Sequence, residues 1–141
     1  MSSGFFLLAS ISVALLWSYP VLIESDPRAD AQAVIQQAVA ATQAVIQVAK
    51  SVQTGGNKQI VEVCIETSGD AIDNLNAIKV QLPKARDPRS IRTLQAKAAG
   101  AMTDVGTCDD EFGDSEPPQV AAATKKAHDL INQLLIILNK L

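Results

Sequence analysis

Aromatic side chains are scarce in this chain: three Phe, one Trp and one Tyr among 141 residues. The apolar share is still 48%, so Ala, Val, Ile and Leu supply it. Glycine and proline are few inside the long segments, and Ala and Leu favour helix. Sustained period-two alternation is missing, which argues against a sheet. Runs of basic residues are missing too, so a surface that tracks nucleic-acid phosphates is not expected. The net charge of −3 is mild. Asn-x-Ser/Thr does not occur, so no N-glycan is implied. The cysteines number two and the histidines one, His128.

The first charged side chain is Glu24. Ahead of it, "FFLLASISVALLW" (residues 5–17) is largely apolar and about as long as a signal-peptide core. It is short for a membrane span, which needs about 20 apolar residues, and Pro20 interrupts its extension. Residues 1–24 are therefore read as a signal peptide or apolar N-terminal segment, with an uncleaved anchor and a buried helix as alternatives. Basic residues ahead of the core and a clean small-x-small cleavage site are both lacking. Secretion would permit disulfides.

Residues 25–141 read as four helices. "SDPRAD" carries helix-start residues. It leads into an apolar stripe formed by Val34, Ala38, Ala41, Val45 and Val52, with Ile35, Val39 and Ile46 in an adjacent row. "TGGN" (residues 54–57) ends it. The second stripe is Val61, Cys64, Ala71, Leu75, Ile78 and Leu82, closed by "PKARDP" (residues 83–88). Ile91, Leu94, Ala98, Met102, Val105 and Phe112 form the third, and the two prolines of residues 114–118 close it. Val120, Ala123, Ala127, Leu130, Leu134, Ile137 and Leu141 form the fourth. The short connections favour an all-α, antiparallel up-down-up-down four-helix bundle.

In that arrangement the turn at 83–88 is a hinge. Cys64 lies about 21 residues before its midpoint and Cys108 about 22 after, so both stand about 32 Å from it. Antiparallel neighbours bring them to one level, and their phases, beside Leu75 and Val105, point inward. One inter-helix disulfide, Cys64–Cys108, is expected; two buried free thiols are the alternative. No catalytic residue is assigned: a nucleophilic cysteine needs a base, and nothing places His128 beside either one. No metal is assigned, because CxxC-type spacing is absent and the acidic run Asp109, Asp110, Glu111, Asp114, Glu116 does not fit a calcium-loop register. The plain reading of that run is a solvated helix end. The stripes also lack the inward Glu and His of bundle cofactor sites, so no cofactor is expected.

"CIETSGDAIDNL" (residues 64–75) contains Cys64, Glu66, Asp70, Ala71, Asp73 and Leu75. "AAGAMTDVGTCDDEF" ends in Thr107, Cys108, Asp110 and Phe112. With "SDPRAD" and "AHDLINQLLIILNKL" in this order, residues 24–141 resemble the plant invertase/pectin methylesterase inhibitor family. Ser68 stands where Tyr is usual and Glu111 where Gly is. The cysteine pair of the family's N-terminal helical hairpin is absent.

The resemblance implies a secreted, non-enzymatic inhibitor of the apoplast or cell wall, with the vacuole as an alternative. Its partner would be a plant invertase or a pectin methylesterase, with no nucleic acid, no small-molecule substrate, and a membrane only if residues 1–24 stay attached. A truncated, non-inhibitory relative or a helical interaction protein is the further alternative. Invertase inhibitors of the family carry Pro-Lys-Phe at the turn between the second and third bundle helices. Here "RDPRS" supplies Pro88, Arg89 for Lys and Ser90 for Phe, so Asp87, Pro88, Arg89 and Ser90 are the expected partner-binding residues. An arginine on a rigid turn suits the two carboxylates of a retaining glycosidase. The plain reading is a helix start, with Asp87 capping and Pro88 in the first turn. For a pectin methylesterase, Asp70, Asp73, Asn74 and Lys79 are candidates by exposure.

Overall fold

The computed structural model describes residues 26–141; the signal-peptide reading falls outside the described residues. Four helices follow one another: α1 Pro27–Ser51, α2 Lys58–Gln81, α3 Pro88–Phe112 and α4 Pro118–Leu138. Short 3-10 turns, Leu82–Lys84 and Gly113–Ser115, follow α2 and α3. Helices α1, α3 and α4 each open on a proline, whose missing N–H costs nothing at a first position. Asp26 caps α1 by accepting from Arg28 N at 2.9 Å. Asn57, ahead of α2, instead ties down its own connection, accepting from Thr54 N and donating to Val52 O. Gly113 ends α3 at φ +56°, a conformation that L side chains avoid.

The helices form a closed ring in which α1 packs on α2 and α4, and α3 packs on the same two. Side-chain bridges show that neighbours run antiparallel. Arg28 at the start of α1 reaches Leu82 and Ala85 past the end of α2. Gln95 near the start of α3 donates to Leu138 O at the end of α4. Thr124 near the start of α4 donates to Asp109 near the end of α3. The up-down-up-down bundle expected from the stripes is the one observed.

The core is aliphatic, with Ile35, Leu75, Ile78, Leu94, Ile131, Leu134 and Leu138 all fully buried. Three rows differ from the expected register; in α3, Ala101 is fully buried and Met102 sits on the flank. In α1, Val39 and Ile46 are only half-buried, while Thr42 and Ala49 face the axis. In α4, Thr124, Ile131 and Leu138 are buried, and Ala123, Leu130 and Ile137 sit on the flank. Both rows of each helix are apolar, and a broad stripe leaves tertiary packing to decide which row points to the axis.

Cys64 and Cys108 form the expected disulfide, with Cα atoms 4.4 Å apart. Neither thiol is free, which removes the alternative of two buried thiols. The bridge joins positions separated by 44 residues, and closing such a loop restricts the unfolded chain by about 4 kcal/mol. The Cys64→Ala/Cys108→Ala protein is expected to melt well below the oxidised protein, and adding reductant should move only the latter. Identical melting curves in all cases would contradict the bridge.

Three hydroxyl residues are buried: Thr42, Ser68 and Thr124. Thr42 Oγ1 donates to Ala38 O at 2.7 Å, and Thr124 is held by Asp109. Ser68 Oγ has no hydrogen-bond partner, and a buried polar atom without one destabilises the fold. Ser68→Ala is expected to raise stability by about 1 kcal/mol, read as a higher midpoint in a denaturant titration; a lower midpoint would show that the hydroxyl is satisfied in solution.

Candidate functional site

The connection between α2 and α3 is built to be rigid. Pro83 stops α2 as a regular helix, and the backbone tightens into the 3-10 turn. Leu82 is fully buried and Ala85 is 3% exposed, so two apolar side chains anchor the turn to the core. The last carbonyls of a helix have no partner within it. Here Arg28 supplies them: Nη1 donates to Leu82 O at 2.5 Å and Nη2 to Ala85 O at 2.6 Å. A guanidinium at the C-terminal end of α2 also meets the negative pole of that helix. Gln32 adds a bond to Lys79 O at 3.2 Å.

The far side of the turn is fixed by the start of α3. Asp87 takes the N-cap conformation, and its Oδ1 accepts from Ser90 N at 2.8 Å. Its Oδ2 accepts from Ser90 Oγ at 3.0 Å. These bonds from the Ser90 amide and hydroxyl hold the Asp87 carboxyl below its ordinary pKa, so it stays ionised at mildly acidic pH. Pro88 is the first helical residue. The helix-start reading of "RDPRS" is the one observed. Asp87, Pro88 and Ser90 form the helix start, while Arg89 is exposed and its side chain makes no hydrogen bond or ion pair with the described residues. Ser90, half-buried, lies with Gln81, Lys84, Ala85 and Thr93 around a shallow hollow beside the turn. Four expected residues are thus brought together at one tip, but only Arg89 projects a free charged group.

The second set of polar candidates is divided. Asp70, Asp73 and Lys79 are exposed on α2. Asn74 is half-buried and donates to Asp104 of α3 at 3.4 Å. Burial, and then the Asp70 charge, push the Asp104 carboxyl above its ordinary pKa, opposed by the Asn74 bond. Asn74 is therefore committed to joining α2 and α3.

At the other end of the bundle the acidic run is only partly solvated. Asp110, Glu111 and Asp114 are exposed. Asp109 Oδ1 accepts from buried Thr124 at 2.6 Å. Burial, a hydrogen bond with Asp109 and the Asp109 charge push Glu116 up to about 7, so Glu116 is protonated at mildly acidic pH. His128 is exposed on α4, whereas both cysteines are fully buried and bonded; no nucleophile–base pair exists there.

Arg28 and Asp104 are the residues that sequence reading missed. "SDPRAD" singled out the segment, yet nothing local reveals that the Arg28 side chain crosses to a turn more than fifty positions away. The expected test is direct. Arg28→Ala should lower stability by about 2 kcal/mol and speed hydrogen exchange at the Ala85 amide, with Arg28→Lys recovering only part. Unchanged exchange at Ala85 would show that the turn stands without the clamp.

Comparison with known proteins agrees with this geometry. The sequence model of the family described as "Plant invertase/pectin methylesterase inhibitor" matches residues 10–138. A crystal structure of a pectin methylesterase inhibitor from Arabidopsis thaliana superposes with a TM-score of 0.76 at 19% identity, covering 91% of this chain and 86% of that one. A mutant form of a pectin methylesterase inhibitor from Arabidopsis gives 0.72 at 20% identity, covering 89% and 87%. At such identities the structural likeness speaks for the fold alone. No curated protein matches the chain at a significant level. Among the described residues, no helix is long and apolar enough to cross a membrane.

Proposed function

The chain belongs to the plant invertase/pectin methylesterase inhibitor family, and from that premise we propose that it is a secreted protein inhibitor that occludes a plant invertase. Residues 1–24 act as the signal peptide and residues 25–141 as the inhibitor domain, working in the cell wall or vacuole. The protein carries out no reaction of its own; it blocks one by stoichiometric binding.

The observation that carries this reading is the division of labour at the turn. Asp87 and Ser90 satisfy each other, Arg28 fastens the preceding carbonyls, and Arg89 is left exposed on a fixed support. A preorganised cation loses little freedom on binding. Its planar fork suits a pocket that holds two carboxylates. Ser90 offers no aromatic anchor, and such anchors often dominate binding energy, so the affinity should be modest.

A pectin methylesterase is the second reading. It is favoured by the exposed polar face of α2 with Asp70, Asp73 and Lys79.

One titration separates the two. The oxidised protein is added to a plant cell-wall invertase and, separately, to a pectin methylesterase, at mildly acidic pH. Saturating loss of invertase activity is expected. Arg89→Ala should weaken it by about tenfold or more, the range of one charge-assisted contact, with an unaltered melting curve. Inhibition that Arg89→Ala leaves intact would remove the turn tip from the mechanism. Loss of activity only with the esterase would establish the second reading.

A further inference from the structure

The charges of this chain are sorted by position. Residues 79–97 hold six Lys or Arg and a single carboxylate, Asp87, whereas residues 104–116 hold six Asp or Glu and no cation. In the fold these two stretches lie at opposite ends of the bundle. Lys79, Lys84, Arg86, Arg89 and Arg92 are exposed around the α2–α3 turn. Among the described residues the one ion pair, Lys125–Asp129, is on α4, so none of these five cations is neutralised by a neighbour.

Helix stability does not account for this pattern. α3 carries Arg89 and Arg92 near its N-terminus and Asp109, Asp110 and Glu111 near its C-terminus, with no acid in its first turn and no base in its last. The helix dipole favours the reverse placement at both ends. With 25 residues, α3 is about 37 Å long. That is several times the screening length of about 8 Å at physiological ionic strength. Each end therefore shows a partner an excess of one sign, cationic at the turn despite Asp26, Asp30 and Asp87, and acidic at the other end despite Lys50, Lys58, Lys125 and Lys126, although the whole chain is net negative.

We propose that this separation orients the inhibitor during encounter: the cationic turn end leads onto an acidic surface patch around the mouth of the target enzyme's active site, and the acidic end is turned away. The proposal rests on the inhibitor reading above. A bounded acidic patch on a folded enzyme fits better than an extended polyanion. A long anionic chain reaching past the turn would run onto the carboxylates of α3, and at low salt it would feel the net charge of −3. A patch confined to one protein surface meets Lys79, Lys84, Arg86, Arg89 and Arg92, which outnumber the exposed carboxylates at that end, Asp26, Asp30 and Asp87.

Kinetics test this apart from inhibition itself. Association and dissociation rates of the full-length oxidised protein are measured against whichever enzyme it inhibits, at low and high sodium chloride. The association rate is expected to fall by about tenfold or more as salt rises, with dissociation changing little. Arg86→Glu/Arg92→Glu, which touches none of the contact residues assigned above, should slow association by about tenfold at low salt and be nearly silent at high salt. Its circular dichroism and melting should match the parent, and Arg86→Gln/Arg92→Gln should fall between the two. Full inhibition with association indifferent to salt and to both variants would overturn the orienting role and leave the inhibitor reading intact. No inhibition of either enzyme by the parent protein would remove both. Salt-sensitive binding of polygalacturonate that Arg86→Glu/Arg92→Glu abolishes, with unchanged association to the enzyme, would reassign the surface to a polyanion.

Discussion

The carbonyls at the C-terminal end of α2 have to be satisfied before that end of the bundle can hold a shape. A helix offers its last carbonyls no internal partner, and here the chain must also turn back within a few residues. Arg28 resolves both demands with one guanidinium, bonding Leu82 O and Ala85 O from across the α1–α2 boundary. The near side of the turn is held by it, and the Asp87–Ser90 cap fixes the far side from which Arg89 projects. Because Arg28 belongs to the first turn of α1, the start of the described chain and its midpoint are shaped together.

A second tie closes the opposite end. The Cys64–Cys108 bridge joins α2 and α3 near the end remote from the turn, so these two helices are held by a covalent link at one end and a short connection at the other. Between them lies an aliphatic seam of Ala71, Leu75, Ala98, Ala101 and Val105, all fully buried. Small residues there let the helix axes approach, and such closeness lets a disulfide form between helices. An aromatic-poor core and an inter-helix bridge are thus two sides of one packing solution.

Much of this was legible in the sequence. The apolar stripes implied helices, the proline-bounded breaks implied short connections, and equal distances from one turn paired Cys64 with Cys108. What stayed hidden has physical causes. Val39 and Thr42, or Leu130 and Ile131, are adjacent choices on one broad stripe, and only contact with two neighbouring helices decides between them. The Arg28 clamp and the Asn74–Asp104 bond join residues far apart in the chain, so no local pattern announces them. Glu116 looked like one more solvated carboxylate, but its pairing with Asp109 depends on how α4 folds back over the end of α3. At the turn, "RDPRS" supported both a helix start and a contact tip; the structure shows the helix start in Asp87, Pro88 and Ser90 and leaves the Arg89 side chain exposed.

That partition bears on how such proteins diverge. Asp87 and Ser90 spend their hydrogen bonds on each other, and the Arg89 side chain spends none on the fold. Position 89 can therefore change across generations without disturbing the scaffold, while positions 87 and 90 are tethered to it. Duplicated copies of such a chain would be free to drift at the exposed residue, each inheriting an intact bundle. The helix cap thereby makes the turn a site of evolvability.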